Sequence, residues 1–167
     1  MVRGYLLDTN ILSYWFNETT SEHQNVVRHL AMLDANAPLR ISAISLGEME
    51  YGHRCESDTD TAIQTAFKDF VNKRLPDILR IQRSTSLHYG QIRASLFKKY
   101  APKSKRNGLR PCQLVDPVTA TALGIQENDL WIAAQAIERN LVLVTHDRTT
   151  HIKEVAADLL EFEDWAT

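Results

Sequence analysis

The sequence Gly-Tyr-Leu-Leu-Asp-Thr-Asn at residues 4–10 places an acidic residue directly after a short apolar run. The segment from Arg3 to Leu7 has the composition of a buried β-strand, and Ile11 to Phe16 has a helical pattern. A strand that leads at once into a helix is the repeating unit of parallel sheets, so this stretch predicts an α/β protein. It also predicts that Asp8 lies at the carboxyl end of a strand.

The rest of the chain continues this alternation of strands and helices. Further strands are predicted at Leu39 to Ala43, Ile78 to Ile81 and Leu141 to Thr145. Ser21 is predicted to cap one helix and Ser45 to open another, and further helices are predicted from about Asp60 to Asn72, Ser84 to Tyr100 and Asn128 to Asn140. We therefore expect a three-layer α/β sandwich, in which helices flank a mostly parallel central sheet. Such sheets bind ligands outside the carboxyl ends of their strands.

Composition favours one ordinary globular domain over residues 1–167, because this length suits one core better than two. Hydrophobic residues make up 44% and charged residues 24%, which excludes a disordered or fibrous chain. The formal net charge of −2 gives no overall signal for nucleic-acid binding. Any nucleic-acid surface would therefore be a local patch.

Cysteine usage and hydropathy indicate a soluble protein of the cytoplasm. Cys55 and Cys112 have no neighbouring Cys or His at metal-ligand spacing, so neither a disulfide framework nor a zinc site is predicted. Asp8 interrupts the N-terminal apolar run too early for a signal peptide. No segment reaches the roughly 18 apolar residues of a membrane span, so we expect no membrane association.

Residues 101–126 form a predicted long loop insertion, because prolines and glycines interrupt any helical or strand period. Loops beyond about 12 to 15 residues are uncommon in compact domains and are often functional or mobile. A basic run over residues 93–110 overlaps this loop. Its cations are Arg93, Lys98, Lys99, Lys103, Lys105, Arg106 and Arg110. The run is either a solvated face or a patch for the RNA backbone.

Four acidic residues fall beside predicted strand ends, and each has an ordinary structural interpretation. Asp8 and Asp129 could serve the N-termini of helices. Glu48 could form a capping box with Ser45, and Asp147 could be a turn residue. Their shared location favours a site, because a parallel sheet brings its carboxyl strand ends into one crevice.

Carboxylates that converge in one crevice repel each other unless a cation or a proton intervenes. Oxygen ligands favour Mg²⁺ or Mn²⁺ over Zn²⁺. Such a metal pocket suits hydrolysis of a phosphodiester. Thr145 and Asn10, which stand two residues from Asp147 and Asp8, could orient a water or hold a carboxylate. They could equally be an ordinary strand threonine and a cap asparagine.

Four segments resemble, in order, the signature blocks of the PIN-domain ribonuclease family. They are Leu-Leu-Asp-Thr-Asn-Ile-Leu at 6–12, Ile-Ser-Ala-Ile-Ser-Leu-Gly-Glu at 41–48, Asn-Asp-Leu-Trp-Ile-Ala-Ala-Gln-Ala at 128–136 and Leu-Val-Thr-His-Asp at 143–147. The short form resembles VapC-type toxins of toxin–antitoxin systems. Residues 159–165 also resemble the last strand and tail of these toxins.

The resemblance implies a PIN-like fold and a Mg²⁺- or Mn²⁺-dependent endoribonuclease that attacks tRNA, rRNA or mRNA. It implies a homodimer, inhibited by a small cognate antitoxin whose tail enters the active-site groove. Carried over by position, the metal ligands are Asp8, Glu48, Asp129 and Asp147. Thr145 matches the family's hydroxyl residue, and Asn10 matches a common neighbour.

The chain departs from the family pattern in two places. Residues 101–126 are longer than the usual link before the third block, and His146 stands where a small polar residue or Asn is common.

Three other interpretations stay open. A housekeeping RNA-processing PIN nuclease would share the site. A phosphate-receiving or phosphatase domain would also use Asp8, but Asn10 stands where haloacid-type phosphatases have a second Asp, and the lysine of receiver domains is missing. A structural or antitoxin-sequestering domain would not need four acids.

Overall fold

A computed structural model describes residues 3–55, 61–102, 108–147 and 150–167. In these ranges the chain forms β1 (Tyr5–Leu7), α1 (Thr9–Phe16), α2 (Ser21–Met32), β2 (Leu39–Ser42), α3 (Ala43–Cys55), α4 (Thr61–Arg74), β3 (Ile78–Leu79), α5 (Arg83–Tyr100), α6 (Glu127–Arg139), β4 (Val142–Val144), α7 (Thr150–Ala156) and β5 (Phe162–Glu163). No helix in the described ranges is long and apolar enough to cross a membrane.

The chain divides into two compact units. The sheet unit comprises Met1–Arg80, Leu141–Asp147 and Phe162–Thr167, and it holds all five described strands with α1 to α4. The helical unit comprises Ile81–Asn140 and Arg148–Glu161, and it holds α5 to α7. The expectation of a single domain over residues 1–167 stays a prediction.

The described strands form one parallel sheet in the order β3-β2-β1-β4-β5. β1 is central, and its Tyr5 pairs with Leu39 of β2 and Val142 of β4. Leu6 and Leu7 are fully buried, as expected for a strand covered on both faces. The predicted α/β fold is therefore confirmed, and every described strand pair is parallel.

The predicted start of α3 at Ser45 and the predicted capping role of Ser21 were both wrong. α3 begins at Ala43, because the hydroxyl of Ser42, the last residue of β2, accepts the backbone N–H of Ile44 at 2.9 Å. Ser45 is buried one turn further on, and within the described residues its hydroxyl has no partner. The capping position of α2 is Thr20, so Ser21 is already helical.

The remaining predicted helices are present with shifted ends. α5 begins one residue before Ser84, and α6 runs from Glu127 to Arg139. α4 runs from Thr61 to Arg74, and the predicted start at Asp60 lies outside the described residues. α7 was not predicted, because Thr150–Ala156 is short and has only two buried residues, Ile152 and Ala156.

The C-terminal segment is anchored in the sheet unit by Trp165, whose side chain is fully buried. Its ring centroid lies 5.2 Å from that of Tyr5 in the central strand. The ring also stacks on His29 of α2, with the two planes 7° apart. The indole N–H donates to Glu163 at 2.7 Å, which satisfies the polar atom of a buried tryptophan.

In the helical unit, Tyr89 of α5 stacks on Trp131 of α6, with ring centroids 3.9 Å apart. Arg93 forms an ion pair with Glu127, and Lys99 forms one with Glu154. Two cations of the basic run are thus already matched by acids. Three others, Lys103, Lys105 and Arg106, lie outside the described residues, so an RNA-binding patch stays a prediction.

The described part of the 101–126 loop consists of short turns. It contains a 3-10 helix at Pro111–Gln113 and an isolated antiparallel bridge between Val115 and Ala122. Within that bridge, the Asp116 carboxylate accepts the backbone N–H groups of Val118 and Thr119, each at 2.8 Å. The loop is therefore held by its own hydrogen bonds.

Truncation of Leu7 tests the central role of β1. Leu7→Ala is expected to lower the free energy of unfolding by about 2–5 kcal/mol, because it leaves a cavity at a fully buried site. Leu87→Ala is the matched control, since Leu87 is 72% exposed and its loss should cost no more than about 0.5 kcal/mol. Urea unfolding of both variants measures the difference. Equal losses would contradict the central position of β1.

Candidate active site

Asp8 stands where β1 ends and α1 begins. Its backbone N–H donates to the carbonyl of Val144 at 3.0 Å, so the pairing between β1 and β4 continues to this residue. Its carboxylate oxygen Oδ1 accepts the N–H of Thr9 at 2.7 Å, as expected at a helix N-cap. The cap interpretation is correct, but it uses only one of the two carboxylate oxygens.

Thr145 holds the second oxygen of Asp8. The side chain of Thr145 follows β4 and is 1% exposed, and its hydroxyl donates to Asp8 Oδ2 at 2.7 Å. The same hydroxyl accepts the backbone N–H of Asp147 at 3.1 Å. Because a hydroxyl has a single hydrogen, the carboxylate takes it and the backbone N–H must approach a lone pair. One side chain thus orients the carboxylate of Asp8 and restrains the backbone of Asp147.

Asn10 links the loops that follow β1 and β4. Its amide nitrogen lies 3.3 Å from the Thr145 hydroxyl and 3.4 Å from Asp8 Oδ2. Its amide oxygen accepts the backbone N–H of His146 at 3.2 Å. Asn10 therefore braces the carboxylate rather than capping α1, whose N-cap is Asp8.

Glu48 lies on α3 and is held by α1. Its Oε2 accepts the hydroxyl of Thr9 at 2.8 Å. The alternative role of Glu48 in a capping box with Ser45 was wrong, since the helix begins before Ser45. Thr9 was not singled out from the sequence, although it lies inside the first PIN-like block, where it follows Asp8 directly.

The environment of Asp8 disfavours the ionised form of its carboxyl group. Burial is the main cause that raises the pKa of its carboxyl group, and the charges of Asp147 and Glu48 raise it further. The hydrogen bonds from Thr145 and Thr9 lower that pKa but do not cancel the effect of burial. A proton or a cation at this position would therefore stabilise the site.

The sheet unit brings together five of the six predicted site residues: Asp8, Asn10, Glu48, Thr145 and Asp147. Asp129 belongs to the helical unit, where its carboxylate accepts the backbone N–H of Gln126 at 3.0 Å at the start of α6. Over the described ranges, no group of three or more His, Cys, Asp or Glu residues is arranged to hold a metal ion. A metal pocket of four acids stays a prediction.

A second group of side chains borders these acids and was not predicted as functional. His146 Nδ1 lies 3.0 Å from the carboxylate of Asp164, which follows β5. The imidazole packs edge-on against Tyr14 of α1, with centroids 5.8 Å apart. Asp164 lies in the closing segment Glu-Asp-Trp, but nothing in its spacing from His146 indicates that the two residues meet.

The geometry defines a class before any relative is considered. It is an α/β protein with an acidic site at the carboxyl end of its central parallel strand, where sheets of this kind bind their ligands. Residues 5–158 match the PIN domain family, and the chain belongs to that family. The match includes residues of both compact units.

Curated relatives of similar length carry ribonuclease names. Ribonuclease VapC2 of Rickettsia felis is 29% identical over 143 residues, which is 86% of this chain and 86% of the relative. Ribonuclease VapC1 of Haemophilus influenzae is 28% identical over 162 residues, which is 96% of this chain and 97% of the relative. The resemblance to VapC proteins inferred from four sequence blocks is thus confirmed.

Solved structures of the same group share the fold. VapBC2 from Rickettsia felis bound to a promoter DNA fragment gives a TM-score of 0.65 at 27% identity, covering 97% of this chain and 98% of that one. VapBC-1 from nontypeable Haemophilus influenzae gives a TM-score of 0.67 at 26% identity, covering 98% and 99%. The PIN-like fold is therefore confirmed over nearly the whole chain.

The raised pKa of Asp8 predicts how stability depends on pH. The folded state binds this proton more tightly than the unfolded state, so the contribution of Asp8 to the unfolding free energy falls as the pH rises from below 3.8 through the folded pKa. Asp8→Asn removes this charge. The variant should therefore be more stable than the wild type at pH 7 without divalent cations, and the gain should disappear in acid.

Chemical unfolding at a series of pH values, with a chelator present, measures this difference. Asp69→Asn is the matched control, because Asp69 is exposed on α4 and its substitution should change stability by no more than about 0.5 kcal/mol. A wild-type protein that is more stable than Asp8→Asn at pH 7 would contradict the prediction.

Proposed function

We propose that this protein is the toxin of a type II toxin–antitoxin system and acts as a Mg²⁺- or Mn²⁺-dependent endoribonuclease. The observation that carries the proposal is the carboxylate of Asp8, which Thr145 holds at the central strand end while burial, and then the charges of Asp147 and Glu48, raise its pKa. The family membership and the ribonuclease names of its relatives support the same activity.

The chemistry of the donor groups fits Mg²⁺ or Mn²⁺. Asp8, Glu48 and Asp147 offer only carboxylate oxygens, the ligands that these ions prefer. A cation would also compensate the charge that raises the pKa of Asp8. We propose these three acids and Asp129 as the ligands. When bound, the ion would lower the pKa of a water molecule and stabilise charge on the attacked phosphate.

The residues around the carboxylates prepare them for this role. Thr145 fixes Asp8 through its hydroxyl and restrains the backbone of Asp147. Thr9 donates to Glu48, which limits the rotamers of a side chain on a different helix. These bonds exist before substrate binds, so the carboxylates need little reorganisation, and loss of such supporting partners typically costs 10–100-fold in activity.

Asp129 is assigned from its place in the third PIN-like block. Its carboxylate belongs to the first turn of α6, where it accepts one backbone N–H through Oδ2. A carboxylate can accept further partners, so this bond is compatible with a second role. We propose that Asp129 is required for RNA cleavage.

The proposed partners are an RNA substrate (tRNA, rRNA or mRNA), a small cognate antitoxin and a second copy of this chain, all in the cytoplasm. The names of the solved relatives VapBC2 and VapBC-1 support an antitoxin partner. The sheet unit also has a groove of about 770 Å³ that an apolar antitoxin segment could fill. Its lining includes Tyr14, Phe16, Ile63, Ala66 and Phe67.

Substitution of the acids tests the nuclease. Asp8→Asn and Asp129→Asn are expected to abolish RNA cleavage while the circular dichroism spectrum stays native, because each removes a proposed metal ligand. Thr145→Val should reduce cleavage roughly 10- to 100-fold, since it removes a hydroxyl that supports Asp8 and Asp147 but no proposed metal ligand. EDTA should stop the wild-type reaction, and Mg²⁺ or Mn²⁺ should restore it.

The measurement is cleavage of labelled cellular RNA by purified protein. Asp69→Asn serves again as the control, because this exposed acid lies on α4 outside the site. Full activity of both Asn variants, or undiminished cleavage in excess EDTA, would refute the proposed site.

Expression in cells separates a toxin from a housekeeping nuclease. The wild-type chain should arrest growth, Asp8→Asn should not, and co-expression of the product of an adjacent antitoxin reading frame should restore growth. Colony counts after induction measure the effect, and light scattering of the purified chain tests the proposed homodimer. Harmless expression of an active nuclease would favour the housekeeping RNA-processing function.

A further inference from the structure

Both sequence neighbours of His146 belong to the candidate site. It stands between Thr145, which donates to Asp8, and Asp147, which has its backbone N–H held by Thr145. Its own backbone N–H donates to Asn10. The main chain at His146 is therefore fixed relative to the carboxylates, and the direction of its side chain is set by other contacts.

Asp164 and Tyr14 set that direction. Imidazole Nδ1 lies 3.0 and 3.2 Å from the two carboxylate oxygens of Asp164. Asp164 is itself anchored, because its Oδ1 accepts the backbone N–H of Ala166 at 2.9 Å and the adjacent Trp165 is buried. Tyr14 packs edge-on against the imidazole. The ring is thus held by one carboxylate and one aromatic face.

His146 lies beside the acids, because its backbone N–H donates to Asn10, whose amide nitrogen is 3.4 Å from Asp8 Oδ2. Tyr14, which contacts the imidazole, has a hydroxyl whose pKa is raised mainly by burial and then by the charges of Glu22, Asp147 and Asp164. Asp147 in turn acts on Asp8. The His146 side chain stays 38% exposed and that of Asp164 32% exposed, so a substrate can reach the pair.

The partner of Nδ1 determines the chemistry of the other ring nitrogen. A carboxylate only accepts hydrogen bonds, so Nδ1 carries the hydrogen, and in the neutral imidazole Nε2 is then an acceptor. Phosphate oxygens are acceptors as well and cannot pair with Nε2 of the neutral ring. Each ribose of RNA carries a 2′-hydroxyl, a donor that DNA does not have.

We propose that His146 binds a 2′-hydroxyl of the RNA next to the cleaved bond through Nε2, and that Asp164 is the positioning residue that holds the imidazole in the required tautomer. The inference rests on the proposed ribonuclease function and deepens it. It assigns the preference of this site for RNA over DNA to a side chain outside the acidic group.

Paired changes in protein and substrate test the contact. The probe is a 5′-labelled oligoribonucleotide that contains a cleavage site mapped with the wild-type protein, compared with versions that carry one 2′-deoxynucleotide on either side of the cut. One of these changes should lower the wild-type kcat/KM roughly two- to tenfold, as expected for one hydrogen bond. On the all-RNA probe, His146→Ala should lower kcat/KM by a similar factor. On the probe with the sensitive 2′-deoxynucleotide, His146→Ala and the wild type should have the same kcat/KM, because the contact is already absent.

Controls separate this contact from general damage. His151→Ala is the matched control, because His151 also lies near a carboxylate, that of Glu154, but belongs to the helical unit. This variant should keep the full deoxy penalty, which is the fall in kcat/KM that the 2′-deoxy substitution causes. Probes with changed bases test whether the hydrogen-bond donor to Nε2 belongs to a base and not to the ribose. If a base change, and not the 2′-deoxy change, removes the effect of His146→Ala, the assignment to the 2′-hydroxyl is wrong.

A spectroscopic measurement tests Asp164 without reference to catalysis. Nitrogen-15 NMR of the neutral imidazole should show the Nδ1–H tautomer in the wild type. In Asp164→Asn the amide can donate to Nδ1, so the population should shift toward the Nε2–H tautomer and the deoxy penalty should shrink. An Nε2–H tautomer in the wild type would overturn the inference, even if His146→Ala fails to fold.

The outcomes also distinguish this inference from the proposed function. A folded wild-type protein that cleaves no RNA would refute both. A wild-type protein that cleaves RNA but shows no 2′-deoxy penalty, or a His146→Ala variant that keeps the full penalty, would refute the role of His146 and leave the ribonuclease intact.

Discussion

The hydrogen bond from Thr145 to Asp8 is the contact on which the rest of the site depends. It joins the ends of the two strands at the centre of the sheet, β1 and β4, and it is made by a hydroxyl that is almost fully buried. Because the same hydroxyl accepts the N–H of Asp147, one bond network determines where both aspartates lie. Asn10 and Thr9 extend that network to His146 and Glu48.

The position of Asp8 lowers the stability of the folded protein when its carboxyl group is ionised. Asp8 is placed where burial and neighbouring acids oppose its ionisation, although an exposed position would cost nothing. Two hydrogen bonds compensate only part of the penalty. A site of this kind stores the unfavourable electrostatic free energy that a bound cation would release, so metal binding and folding stability are linked through the same carboxylate.

Much of the fold could be predicted, because hydrophobic periodicity and strand–helix alternation are local signals. The strand ending at Leu7 and the acid after it are both visible in seven letters of sequence. The start of α3 could not be predicted in this way, since Ser42 and Ser45 are equally good caps and only the end of β2 decides between them. Likewise, Asp164 meets His146 only because β5 pairs with β4, a contact that spacing along the chain does not encode.

The position of β5 and Trp165 late in the chain has a consequence for biosynthesis. Glu163 accepts the backbone N–H of Thr145, Asp164 holds His146, and Trp165 packs on the central strand, so these contacts cannot form until this segment has left the ribosome. Asp8 and Glu48, which are made more than 100 residues earlier, would lack this support until then. The contacts around His146 would thus form only after β5 has been made and has paired with β4.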